Sequence, residues 1–124
     1  MTATALILFA HGARDPEWAR PMQRVCALLR QQAPTLRVEL AFLEFIPPDL
    51  RNCAEALVAD GVQRVLVVPM FIARGGHLKR DLPLLLAELR QQHPGTIFDL
   101  ADAVGEAETV VQAMAKHALS LLDA

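Results

Sequence analysis

Residues 4–12 read TALILFAHG: from Thr4 to Ala10 the side chains are almost all apolar, and His11-Gly12 ends the run. A strand with one wet face alternates apolar and polar residues. A short run without that alternation, closed by a turn signal, reads as a strand covered on both faces, the kind found inside a parallel sheet. Asp15 and Pro16 follow as an N-cap and a proline at the first helical position. Met22, Val25, Cys26 and Leu29 then recur at i, i+3, i+4 and i+7, which predicts a helix from Pro16 to Gln32.

The same strand-then-helix unit recurs downstream. Leu36 to Phe42 reads as a second strand, and Leu50, Cys53, Ala54 and Leu57 repeat at helical spacing in a helix that ends near Gly61. Val65 to Pro69 is the third strand. The stretch MFIARGGHLKRD (70–81) is expected as a loop leading to Leu82, Leu85, Leu86 and Leu89, whose helix stops before Pro94. Thr96 to Ala101 and Val110 to Leu122 supply a fourth strand and helix. Strands alternating with amphipathic helices pair in parallel through right-handed crossovers, so the expected class is α/β, a four-stranded parallel sheet with helices on both faces.

At 124 residues the chain fits a single domain, 1–124. A hydrophobic fraction of 53% and a mean hydropathy of +0.29 are high for so small a domain, which points to an oligomer interface. Twelve basic against fourteen acidic residues leave a formal charge of -2, without the basic excess that a phosphate backbone demands, so nucleic acid is not an expected partner. The apolar runs at 5–10 and 65–73 fall far short of the roughly 20 residues of a membrane-spanning helix. No Lys or Arg precedes the first strand and no cleavage pattern follows Ala10, so a cytoplasmic protein is expected. Cys26 and Cys53 fall on apolar helix stripes without metal spacing and read as buried, reduced thiols.

In open α/β sheets, ligands bind beyond the carboxyl ends of the strands where strand order reverses, which in the flavodoxin-like order 2-1-3-4 lies between strands one and three. His11 directly follows strand one, His77 lies after strand three, and Glu44 follows strand two at the same edge. Two imidazoles and a carboxylate suit a first-row divalent cation, and a set short of four ligands leaves positions open for a metal that is handed on.

The segments LILFAHGARDPEW, ELAFLEFIPPDL and VVPMFIARGGHLKRDLP resemble the three signature blocks of the short class II tetrapyrrole chelatases, the CbiX and SirB group that acts on sirohydrochlorin. The resemblance covers about residues 4 to 89. It implies a flavodoxin-like, chelatase-like subunit that pairs as a homodimer, with His11 and His77 as the metal-binding and catalytic histidines and Glu44 assisting them. The implied activity is insertion of a divalent metal into sirohydrochlorin, Co²⁺ by preference and Fe²⁺ or Ni²⁺ as alternatives, with the metal as substrate and no organic cofactor. After Leu89 the likeness weakens: the family's Gly-x-His-Pro pattern is replaced by Val104-Gly105-Glu106-Ala107.

A substrate rimmed with carboxylates calls for cations at this edge, and Arg14, Arg74, Lys79 and Arg80 are the candidates. Gly75 and Gly76 would let the loop backbone approach a large flat ring, and Met70 and Phe71 would pack against it. Each has a plainer reading: solvated charges for the cations and for Glu44, positive-φ turns for the glycines, an N-cap for Asp15. Trp18 reads equally as core, interface or ring platform, and His93 and His117 as structural or exposed. Two rival functions use the same histidines. A metal carrier or sensor would bind the ion without a tetrapyrrole, and a histidine-phosphatase-like enzyme would normally place arginine where this chain has Ala10.

Overall fold

The computed structural model describes residues 3–73 and 75–122, with His77 described by its backbone alone. The first strand, β1 (Thr4–Ala10), lies inside the sheet and pairs in parallel with β2 (Arg37–Phe42) on one side and β3 (Arg64–Pro69) on the other. The fourth strand, β4 (Ile97–Leu100), adds to β3, giving the order β2-β1-β3-β4. The helices are α1 (Arg20–Gln32), α2 (Leu50–Ala59), α3 (Gly76–Gln92) and α4 (Glu108–Ser120), with 3-10 helices at Pro16–Ala19 and Val104–Glu106. No helix among the described residues is long and apolar enough to cross a membrane.

Successive residues of β1 face opposite ways, as strand geometry requires. Ala5, Ile7 and Phe9 join Val65, Val67 and Phe98 under Leu57 of α2 and Leu82, Leu86 and Leu89 of α3. Leu8 joins Val38 and Cys26 of α1 on the other face. β1 is therefore buried on both sides because each face meets a helical layer. The two cysteines are free, buried and attached to opposite faces. Burial raises both thiols, Cys53 to about 11.

Most boundaries shift by one or two residues, α4 for instance running Glu108–Ser120 instead of Val110 to Leu122, but two differ by more. The first helix is divided: Pro16–Ala19 is a 3-10 helix capped by the Asp15 side chain, which accepts from the Glu17 amide at 2.9 Å, and α1 begins at Arg20. Pro21 lacks an amide hydrogen and so cannot carry one hydrogen-bond ladder through both pieces. The third helix starts at Gly76 instead of Leu82, so Gly76, His77, Lys79 and Arg80 belong to its first turns and not to a loop. Leu78, which packs partly buried against the core, extends the Leu82, Leu86, Leu89 stripe by one turn and outweighs the two breaker signals, Gly75-Gly76 and the internal Pro83.

The α1–β2 and α3–β4 connections use one device twice. Leu29-Arg30-Gln31-Gln32-Ala33-Pro34 and Leu89-Arg90-Gln91-Gln92-His93-Pro94 both stop a helix before proline, and Ala33 and His93 donate their amides to the Leu29 and Leu89 carbonyls. Arg30 reaches over to donate two N–H groups to the Val38 carbonyl at 3.2 and 2.6 Å, and Arg90 does the same to Phe98 at 2.9 and 2.7 Å. β2 and β4 are the sheet's edges. Each guanidinium thus satisfies an edge carbonyl that has no strand partner, with bonds of the charge-assisted kind worth about 1.5–3 kcal/mol.

Two stability tests follow from the core. Leu86 is fully buried, and Leu86→Ala should lower the free energy of unfolding by about 2–5 kcal/mol in urea denaturation. The Cys53 thiol sits above its ordinary value of 9.0 in the fold, so its contribution is intact below that pH and is lost as pH climbs towards about 11. Denaturation from pH 8 upward should show this decline, and Cys53→Ala should flatten it.

Candidate functional site

The strand order turns back on itself at β1 and β3, and the loops leaving the carboxyl ends of the strands are knitted together there by main-chain hydrogen bonds. The Leu43 amide donates to the Ala10 carbonyl at 2.8 Å, the Glu44 amide to His11 at 3.1 Å and the Met70 amide to Phe9 at 2.7 Å. Gly12 makes the first of these loops possible. Its φ is +81°, and a Cβ there would lie 2.0 Å from the Glu44 carbonyl oxygen. Phe45, at φ 69°, turns the second loop sharply, and the Ile46 amide closes the turn on the Glu44 carbonyl at 2.8 Å.

His11 is exposed on this frame. Its ring centroid lies 4.1 Å from that of Phe71, tilted by 38°. Phe71 is buried and meets Phe9 edge-on at 5.8 Å, so the imidazole stands on an apolar floor continuous with the core. That floor is braced from the far side: Gly105 donates its amide to the Phe71 carbonyl at 2.9 Å, and a Cβ on Gly105 would come within 2.1 Å of the Ile72 carbonyl oxygen.

The expected site residues fare differently. His11, Glu44 and Met70 come together at this edge, Glu44 through its main-chain bond to His11 and with its side chain exposed. Phe71 is not a surface on which a flat ring could pack, because it points into the core. Positions 65, 67, 69 and 71 share one parity, and all four are buried. His77 is the second residue of α3; its side chain, like all of Arg74, lies outside the described residues. Neither Gly75 nor Gly76 has positive φ. Gly75 caps α3 at φ -67° and ψ 162°, and open space surrounds both glycines. Lys79 and Arg80 are exposed on α3. Arg14 lies over the Phe45 ring, 4.9 Å from its centroid, a cation–π contact that holds the first loop to the second.

A recess of about 150 Å³ beside His11 and Gly12 is lined further by Trp18, Met22, Phe42 and Met70. Trp18 is 75% exposed, a large apolar side chain left in solvent at the mouth of this recess. Phe45, Met22 and Phe42 were missed in the sequence. Met22 lies on the stripe already used to predict α1, and Phe42 is the last residue of β2, so position at a strand end was the available signal. Among the described residues no three His, Cys, Asp or Glu side chains converge to hold a metal ion.

The sequence matches the CbiX family over residues 5–120. The chain belongs to the CbiX family. The match runs well past Leu89, where the three motif blocks end. A sirohydrochlorin cobaltochelatase of Sulfurisphaera tokodaii is 30% identical over 117 residues, which are 94% of this chain and 92% of that protein. One of Saccharolobus islandicus is 32% identical over 118 residues, covering 90% and 91%. Among solved structures, the CbiX protein of Marinobacter aquaeolei superposes with a TM-score of 0.81 at 26% identity, over 97% of this chain and 98% of that one. SirB of Bacillus subtilis in complex with cobalt shares the fold, with a TM-score of 0.79 at 23% identity. The chain spans 51% of that protein's length, and 57% of the length of a similar cobaltochelatase from Methanococcus aeolicus.

The contrast between glycines is testable. Gly12→Ala must adopt a left-handed backbone against the Glu44 carbonyl, and should lower stability by about 1–3 kcal/mol in urea denaturation. Gly76→Ala, at a helical position facing open space, should leave stability unchanged or raise it by about 0.4–1 kcal/mol.

Proposed function

We propose that this chain inserts a divalent metal into sirohydrochlorin, with Co²⁺ the favoured substrate ion and Fe²⁺ or Ni²⁺ the alternatives, in cobalamin or sirohaem synthesis in the cytoplasm. The observation that carries the reading is the exposed imidazole of His11, standing on buried Phe71 at the strand-order reversal of a CbiX-family fold. An imidazole there can approach a bound metal from one side and leave the remaining coordination positions to water and then to the tetrapyrrole nitrogens, as a transfer site requires.

Metal entry displaces two pyrrole N–H protons, so the site needs a base as well as a ligand. Neutral imidazole can be either near neutral pH. His11 and His77 take these roles, and the exposed carboxylate of Glu44, on the loop bonded to His11, relays a proton to solvent. The cations Arg14, Arg74, Lys79 and Arg80 hold the substrate's carboxylates, and the start of α3 at Gly75-Gly76 offers a surface free of side chains for the ring's approach. Trp18 and Met70, at the recess beside His11, are the apolar contacts for the ring. Two copies of the chain pair as a homodimer, in keeping with large apolar side chains left exposed, among them Trp18, Ile72 and Leu84.

The test is the absorbance change when protein meets sirohydrochlorin with Co²⁺, Fe²⁺ or Ni²⁺ in turn. His11→Ala and His77→Ala should each lower kcat/KM by roughly 100-fold or more with unchanged circular dichroism. Ion binding without acceleration by the parent protein would favour a metal carrier instead. Lys79→Ala and Arg80→Ala should raise KM for sirohydrochlorin several-fold and leave kcat nearly unchanged, as loss of uniform binding predicts.

A further inference from the structure

The main chain at His11 is held from both sides. The Glu44 amide donates to its carbonyl at 3.1 Å, and Gly12 turns the backbone directly after it at φ +81°. Two side-chain torsions remain. The second, to the flat imidazole, has a broad and roughly two-fold preference, so by itself it aims neither ring nitrogen. A histidine that ligates a metal normally donates its other N–H to a carboxylate or a carbonyl, which sets the ring plane and the tautomer together. Among the described residues no group hydrogen-bonds the His11 imidazole.

What the imidazole touches is Phe71. The two ring centroids are 4.1 Å apart, inside the roughly 4.5–7 Å at which aromatic pairs usually lie, so turning the imidazole further on edge drives the rings into each other. Phe71 cannot yield easily. It is 3% exposed, its ring meets Phe9 at 5.8 Å and 63°, and its carbonyl accepts the Gly105 amide at 2.9 Å.

We propose that Phe71 is a positioning residue for His11: its buried ring, in place of a hydrogen-bond acceptor, fixes the plane of the imidazole and leaves both nitrogens open. This rests on the reading of His11 as a residue that handles the metal. An acceptor on one nitrogen would tie up the atom needed for proton exchange and would make the other a more basic, more tenacious ligand. An aromatic face orients the ring without engaging either atom. One nitrogen can then meet the ion while the other exchanges a proton with solvent or with the Glu44 carboxylate, and the ion is held loosely enough to leave. The segment after β4 takes part at a distance, because Gly105 fixes the main chain from which the Phe71 ring projects.

The experiment is proton NMR of the full chain, with His11 assigned by comparison with His11→Ala, alongside steady-state kinetics of Co²⁺ insertion. In the parent protein the His11 ring protons should lie upfield of those of a histidine in a short peptide, because they sit against the face of Phe71. Phe71→Leu keeps the core apolar; it should return them to the peptide position and lower kcat by roughly 10- to 100-fold at nearly unchanged KM for sirohydrochlorin. Phe98→Leu is the control. Phe98 is 1% exposed in the same core cluster, so this variant should lose comparable stability yet leave kcat and the His11 signals as they were. Ring protons at the peptide position in the parent protein, or a folded Phe71→Leu with parental kcat, overturn the proposal. If Phe71→Leu does not fold, the parent spectrum decides alone. A parent protein that inserts no metal overturns the chelatase reading instead, and its spectrum still decides whether Phe71 holds the imidazole.

Discussion

The carbonyl of Glu44 occupies the space that a side chain on residue 12 would need, and the two loops that carry the candidate chemistry can meet only because residue 12 is glycine. From that contact the rest of the edge follows. The Glu44 amide reaches the His11 carbonyl, Leu43 reaches Ala10, and Phe45 is forced into a left-handed turn that brings its ring under Arg14. With β1 tied in this way to the β2 loop, and to the β3 loop through Met70 and Phe9, the imidazole of His11 leaves the sheet at one height and lies on Phe71. The constraint is steric and local, but it fixes which side chains share the site.

The sheet rests on a second, independent arrangement. Parallel sheets end in two strands with one unpaired edge each, and here those edges receive the same answer. A helix stops before proline, and the arginine in its last turn folds back over the following strand. The repeated Leu-Arg-Gln-Gln-x-Pro string is thus a repeat of function within the fold, not of the fold itself. It shields β2 and β4 from pairing with foreign strands.

Much of this was legible in the sequence. The unbroken apolar run at 4–10 identified a doubly covered strand and its neighbours the class, while the order 2-1-3-4, and with it the edge where His11 and Glu44 meet, came with the flavodoxin-like likeness. The start of α3 was hidden because Gly75-Gly76 and Pro83 are both breaker signals, while Leu78, the one apolar residue that carries the stripe past them, is a single position. The role of Phe71 was hidden for a different reason. Met70 and Phe71 look alike as a pair, and only the alternation continuing from Val65 and Val67 tells that one faces the recess and the other the core. Contacts such as Arg14 on Phe45, or Gly105 against Ile72, join residues far apart in the chain and depend on loop shapes that no local pattern encodes.

The frame of the site is made almost wholly of peptide groups: the amides of Leu43, Glu44, Met70 and Gly105 and the carbonyls they reach. Apart from Gly12 and Gly105, whose lack of a side chain is the point, and the contact of Arg14 with Phe45, the residues on the rim contribute little to holding it in place. Their identities can therefore drift, in evolution or by design, while the scaffold beneath keeps its shape. A protein built this way can revise which ion or which ring it prefers without first having to relearn how to fold.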